Sequence, residues 1–179
     1  MNVLSLDVSA ASTGWCVLQD MGIHFGVIKT AAKLQNTERL LTFKTELCKI
    51  LSTYKPTHIV IEDIFVGLNA STIKVLAEFA GVTKLTCIEF ADIVPYIIST
   101  NTVKAYYKAK KKEMVFNFIL DILEQTWPYK QYNDVVDALA QALCYADTVL
   151  KLKEFRFTKE YGYFYKVEDT FHNHLIRGV

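Results

Sequence analysis

Val3-Leu4-Ser5-Leu6-Asp7, a small-residue turn over 9–14, Trp15-Cys16-Val17-Leu18 and, past Met21-Gly22, Ile23-His24-Phe25-Gly26-Val27-Ile28-Lys29 open the chain. Short apolar runs punctuated by turn residues read as three antiparallel strands in a meander. The pattern then changes period. Leu40, Phe43, Leu47, Ile50, Leu51 and Tyr54 recur every three or four residues, which predicts an amphipathic helix over 36–54, closed by Lys55-Pro56. Residues 58–61 form a buried strand, Asn69 caps a second long helix to about residue 91, and 93–99 make a fifth strand. After a basic loop, 113–127 are helical, with Val115, Ile119, Ile122 and Leu123 inward, and 133–150 make the last helix. A meander followed by alternating helix and strand predicts an α/β fold, a mixed five-stranded sheet with helices on both faces. Beyond Leu150, aromatic and basic residues nearly alternate (Phe155, Arg156, Phe157, Tyr161, Tyr163, Phe164, Tyr165, Lys166), which reads as an appended strand pair or arm. The expected division is therefore 1–150 as the main domain and 151–179 as a C-terminal aromatic and basic extension.

At 179 residues the chain suits one well-packed core. Its 51% hydrophobic and 22% charged content is that of a globular protein, without repeats or low-complexity tracts. The longest apolar stretches, 93–98 and 135–146, fall short of the roughly 20 residues a membrane span needs, so no membrane association is expected. Met1-Asn2 opens no secretory signal. Cys16, Cys48, Cys87 and Cys144 are widely spaced without a C-x-x-C pair, and read as buried thiols of a cytoplasmic protein. A net charge of +1 argues neither for nor against nucleic acid, so its distribution matters more.

Four acids stand out. Asp7 and Glu62 each close an apolar run, at the C-terminal strand ends where ligand sites of open α/β sheets lie. Either alone reads as a strand-end acid facing solvent or capping a helix. Asp134 and Asp137, three apart, project from one face of a largely buried helix. Asp134, near the expected helix start, also reads as a first-turn acid complementing the helix dipole. Asp137 sits among apolar residues with no basic neighbour in sequence. Carboxylates in such places are costly unless they bind a cation or are otherwise paired, and hard oxygen ligands suit Mg²⁺ or Mn²⁺. Two such ions about 4 Å apart would stabilise both the attacking and the leaving oxygen in phosphodiester hydrolysis.

Leu4-Ser5-Leu6-Asp7, with Gly14 after the turn, resembles the first strand and turn of RuvC-type Holliday-junction resolvases. Val60-Ile61-Glu62-Asp63-Ile64-Phe65, followed by Asn69-Ala70-Ser71 and Ala80-Gly81-Val82, resembles their second motif, and Asp134-Val135-Val136-Asp137-Ala138-Leu139-Ala140 their last. Val103-Lys104 and Lys112-Glu113-Met114-Val115 are similar to the family's basic segment. The resemblance spans roughly residues 3 to 150 and implies a ribonuclease-H-like fold. It also implies a Mg²⁺-dependent endodeoxyribonuclease that cleaves four-way junctions, with Asp7, Glu62, Asp134 and Asp137 holding two ions and Mn²⁺ substituting. A homodimer is implied too, since symmetric nicking needs two sites. Two departures bear on substrate range: Val8-Ser9 replaces Pro-Gly after the first Asp, and Tyr106-Tyr107-Lys108-Ala109-Lys110-Lys111 replaces a glycine-containing loop.

Between Val103 and Glu113 lie Lys104, Lys108, Lys110, Lys111 and Lys112, two tyrosines and no acid, the interleaving of a phosphate-tracking surface. Phe65, expected on the loop after Glu62, would stack on or wedge between bases at a crossover; the opposing reading is a core phenylalanine. Contiguous His172-Asn173-His174 carries no weight as a nuclease motif, because real sites spread those residues over a metal-binding fold. Two alternatives stand beside the nuclease: an actin- or sugar-kinase-like phosphotransferase, which shares Asp7 and its turn but needs a second domain, and a branched-DNA-binding protein that does not cut.

Overall fold

The computed structural model describes residues 1–19, 22–64 and 69–151, and the backbone alone of 163–168 and 172–177. Strands β1 (Val3–Asp7), β2 (Ser12–Gln19) and β3 (Gly22–Lys29) form the expected meander. Helix α1 (Asn36–Tyr54) leads to β4 (His58–Glu62), and α2 (Ala70–Ala91) to β5 (Tyr96–Ile98). Then follow α3 (Thr100–Tyr106), α4 (Lys112–Leu123) and α5 (Tyr129–Thr148). Strands β6 (Tyr163–Glu168) and β7 (His172–Arg177) come last.

The sheet order is β5-β4-β1-β2-β3-β6-β7. Its first five strands are the mixed sheet expected from the sequence: β1 pairs antiparallel with β2 and parallel with β4, which pairs parallel with β5. Strand β6 adds parallel to β3, and β7 antiparallel to β6. Helices cover both faces. Leu4, Leu6, Trp15 and Val17 pack against Phe43 and Leu47 of α1 and Phe79 of α2. The alternate residues Val3, Cys16, Leu18 and Val60 face α4 and α5, the two-residue period of a sheet buried on both sides. Among the described residues no helix is long and apolar enough to cross a membrane.

Local chemistry sets the ends of these elements. The Asn69 side chain accepts from the Thr72 amide, capping α2 as expected, and Lys55 turns left-handed to end α1 ahead of Pro56. Three boundaries differ from expectation. Pairing in β5 begins only at Tyr96, after Pro95, whose missing N–H cannot join a ladder. The basic loop holds a short helix, α3, capped by Ser99. Helix α4 stops at Leu123, where Glu124 turns left-handed, and α5 starts at Tyr129, four residues before the expected 133. That last shift corrects one reading of Asp134: the first turn of α5 carries no acid, so Asp134 does not complement the dipole there.

Candidate active site

Alternation along β1 and β4 puts Ser5 and Asp7, Val60 and Glu62 on the face covered by α5. The parallel register pairs Ser5 with Val60 and Leu6 with Ile61, so the two strand ends lie side by side. Their carboxyls are close enough for Glu62 to raise the pKa of Asp7. From above, α5 presents Asp134, Asp137 and Gln141 at helical spacing. Close approach of α5 to the sheet depends on Gly14, which pairs with Asp7 across β1 and β2. A Cβ there would lie 2.1 Å from the Asp134 carbonyl oxygen, so a glycine is required beneath the helix.

The four acids are not equivalent. The Lys112 ammonium donates to Asp137 Oδ2 at 2.8 Å and stands 3.5 Å from Glu62 Oε2, and the charge of Asp7 acts on it from the neighbouring strand end. Burial, then the neighbouring Glu62, hold Asp7 well above the usual carboxylate range. Burial also raises Asp137, against the pull of Lys112. Burial alone would lower Lys112; Asp7, Asp137 and Glu62 together overcome it and hold the ammonium above the usual lysine range. Asp134 stands at the edge of the cluster, where Ser12 Oγ donates to its Oδ2 and Asn133 Nδ2 to its Oδ1, both at 2.6 Å.

Besides Asn133, three neutral donors to the acids are not evident from the sequence. Thr100, at the start of α3, donates to Glu62 Oε1. Gln141 Nε2 donates to Glu62 Oε2 at 3.1 Å, and Ser12 binds Asp134. Gln141 carried a signal, a lone amide in an apolar helical run four residues after Asp137; Thr100 and Ser12 carried none, since their partners lie far away in sequence.

As these side chains stand, no three His, Cys, Asp or Glu residues among the described residues form a metal-binding group. The donor set nevertheless suits a hard divalent cation: every acid offers oxygen, burial disfavours the charge of Asp7 and Asp137, and an ammonium already stands between Glu62 and Asp137 as a cation substitute.

A cleft of about 640 Å³ opens beside the cluster, lined by Asp7, Glu62, Asp63, Thr100, Lys104 and Lys112 among others. Of the lysines singled out from the sequence, Lys104 lines this cleft, while Lys108, Lys110 and Lys111 are exposed beyond it. Lys112 differs from them, its ammonium being engaged by the acids. Phe65 lies outside the described residues.

Residues 3–145 match the family described as crossover junction endodeoxyribonuclease RuvC. The RuvC of Caldicellulosiruptor saccharolyticus is 32% identical over 157 residues, covering 81% of this chain and 92% of that protein. That of Ehrlichia ruminantium is 33% identical, covering 81% and 96%. Among solved structures, Thermus thermophilus RuvC in complex with a Holliday junction substrate superposes with a TM-score of 0.70 at 21% identity, over 85% of this chain and 96% of that one. The yeast mitochondrial Holliday junction resolvase superposes with a TM-score of 0.56 at 14% identity, over 86% and 81%.

Proposed function

The chain belongs to the RuvC family of crossover junction endodeoxyribonucleases, and we propose that it cuts Holliday junctions by hydrolysis at a site built from Asp7, Glu62, Asp134 and Asp137. The observation that carries this reading is the convergence of Glu62 and Asp137, from a strand and a helix, on the Lys112 ammonium, with Asp7 at the neighbouring strand end lining the same open cleft as Glu62 and Lys112. The family assignment takes away the ground for a nucleotide phosphotransferase.

The enzyme depends on divalent metal, and Asp7, Glu62, Asp137 and, after leaving Ser12, Asp134 are the residues that would hold it, as two Mg²⁺ ions with Mn²⁺ as a substitute. Bound there, the cations would supply charge neutralisation at the phosphate and activation of water. The chain's own groups do the rest. Lys112 keeps three crowded carboxylates compatible with folding until cations arrive, and its half-exposed side chain has room to swing toward a phosphate oxygen. Thr100 and Gln141 hold the Glu62 carboxylate. Lys104, Lys108, Lys110 and Lys111 extend the positive surface along which the arms of a junction would lie, and Phe65 is assigned to unpaired bases at the crossover. Two copies acting as a homodimer would cut two strands symmetrically, and forks or flaps would present the same chemistry. Residues 1–150 are assigned as the nuclease domain and 151–179 as its extension. The cysteines Cys16, Cys48, Cys87 and Cys144 are free thiols, in keeping with a cytoplasmic enzyme.

The test is Asp137→Asn, which preserves volume and removes charge. Cleavage of a synthetic four-way junction in Mg²⁺ should fall by orders of magnitude, while junction affinity without metal holds or rises as carboxylate repulsion of phosphate is relieved. Substantial Mg²⁺-dependent nicking by a folded Asp137→Asn protein would sink the assignment.

A further inference from the structure

Gln141 lies one turn beyond Asp137 in the run Ala138-Leu139-Ala140-Gln141-Ala142-Leu143, whose other members are apolar and buried. It is only 2% exposed. A primary amide in such a place is unfavourable unless both of its ends are hydrogen-bonded. Both are: Nε2 donates to Glu62 Oε2 at 3.1 Å, and Oε1 accepts from Ser5 Oγ at 3.2 Å. Chemistry dictates the orientation. An ionised carboxylate only accepts, so the NH₂ end must face Glu62, and the carbonyl end is left for a hydroxyl that can donate.

Ser5 is wholly buried, two residues before Asp7 on the same face of β1. The relay therefore runs from the strand carrying Asp7, through the helix carrying Asp137, to the acid that ends β4. Thr100 takes the other Glu62 oxygen. With one donor fixed on each oxygen, the plane of the carboxylate is set and each oxygen keeps a lone pair for another partner. Lys112 differs in kind: its half-exposed, long side chain can leave Glu62 when another cation arrives, whereas a buried amide locked at both ends cannot.

We propose that Gln141 is a positioning residue for Glu62, its amide locked by Ser5, and that this relay presets the Glu62 carboxylate for a divalent cation. The proposal rests on the reading of Glu62 as a metal ligand. Partners that orient ligands in this way typically account for about 10- to 100-fold in metal affinity or activity.

The experiment measures Mn²⁺ binding to the full-length, metal-free protein by calorimetry, alongside thermal melting without metal and junction binding without metal. Gln141→Met keeps length and volume and removes the amide. It leaves the buried Ser5 hydroxyl without its acceptor and should melt somewhat lower than wild type while still folding, and bind the junction as wild type does, yet bind Mn²⁺ about 10- to 100-fold more weakly. Ser5→Ala, which deletes one hydroxyl, should show a smaller loss in the same direction. In a Glu62→Gln background, Gln141→Met should weaken Mn²⁺ binding little further. Wild-type Mn²⁺ affinity in Gln141→Met, with Glu62→Gln impaired, overturns the relay and leaves the role of Glu62 standing. Wild-type affinity in Glu62→Gln itself overturns the underlying reading and the relay with it. Should Gln141→Met not fold, Ser5→Ala carries the test, and an unchanged Mn²⁺ affinity in it overturns the proposal.

Discussion

Gly14→Ala perturbs the site without touching any acid. The added Cβ would stand 2.1 Å from the Asp134 carbonyl oxygen, 2.2 Å from its carbonyl carbon and 2.7 Å from the Val135 nitrogen, where ordinary contact begins at 3.4 Å. All three atoms are backbone, so no side chain can swing away. Helix α5 must lift from β2 by more than an ångström, at the turn that carries Asp134 and leads into Asp137. The Ser12 bond to Asp134, 2.6 Å long, would break with it. Overpacking of this kind costs about 1–3 kcal/mol. In a domain of this size that corresponds to a melting temperature lower by roughly 3–10 °C. The catalytic loss should be larger, since displacing catalytic groups by about 1 Å can reduce rates on the order of 10²-fold. Thermal melting by circular dichroism, with nicking of a synthetic four-way junction in Mg²⁺, measures both. A variant that melts with the wild type and cuts at the wild-type rate would refute the claim that helix-to-sheet packing at Gly14 sets the position of the acids.

Lys112→Met removes the cation from among Asp7, Glu62 and Asp137, so metal-free protein should melt lower, and Mg²⁺ should raise the melting temperature of the variant more than that of the wild type; equal Mg²⁺-induced shifts would count against Lys112 as a cation substitute. Burial and Glu62 raise the folded-state pKa of Asp7 above 3.8, so the folded protein keeps this proton where the unfolded chain has released it. The resulting stabilisation is full below the unfolded value and is lost as pH rises through the folded one. Asp7→Asn should therefore gain stability relative to wild type as pH rises from acid to neutral in EDTA, and urea midpoints that stay parallel across that range would contradict it. Replacing Lys108, Lys110 and Lys111 together with alanine should lower the slope of log K against log salt by about 0.9 for each duplex phosphate that these lysines neutralise, with an unchanged slope removing this segment from the DNA interface.

What the sequence discloses about this site follows from where a cost is locally visible. The meander, α1 and the Asn69 cap were readable because period and turn chemistry are properties of neighbouring residues. Asp7, Glu62 and Asp137 were readable for a related reason: a charge closing or interrupting an apolar run demands a partner, and that demand shows without knowledge of the fold. Helix α3 is seven residues long, too short for a period to emerge, and it lies in a lysine-rich segment that reads as loop. The first turn of α5, Tyr129-Lys130-Gln131-Tyr132, lacks the apolar repeat of the turns after it, so the sequence pattern alone starts the helix late and puts Asp134 in its first turn. Lys112 was one of five similar lysines until Glu62 and Asp137, from β4 and α5, converged on its ammonium. Ser5, Ser12 and Thr100 are neutral and small, tolerated in a strand or at a helix start whatever they touch. Their hydroxyls donate to side chains distant in sequence, and only packing reveals the partner. In this fold the charged members of the site can be found by asking which residues are out of place, whereas the neutral ones that orient them look ordinary until the tertiary hydrogen bonds are traced.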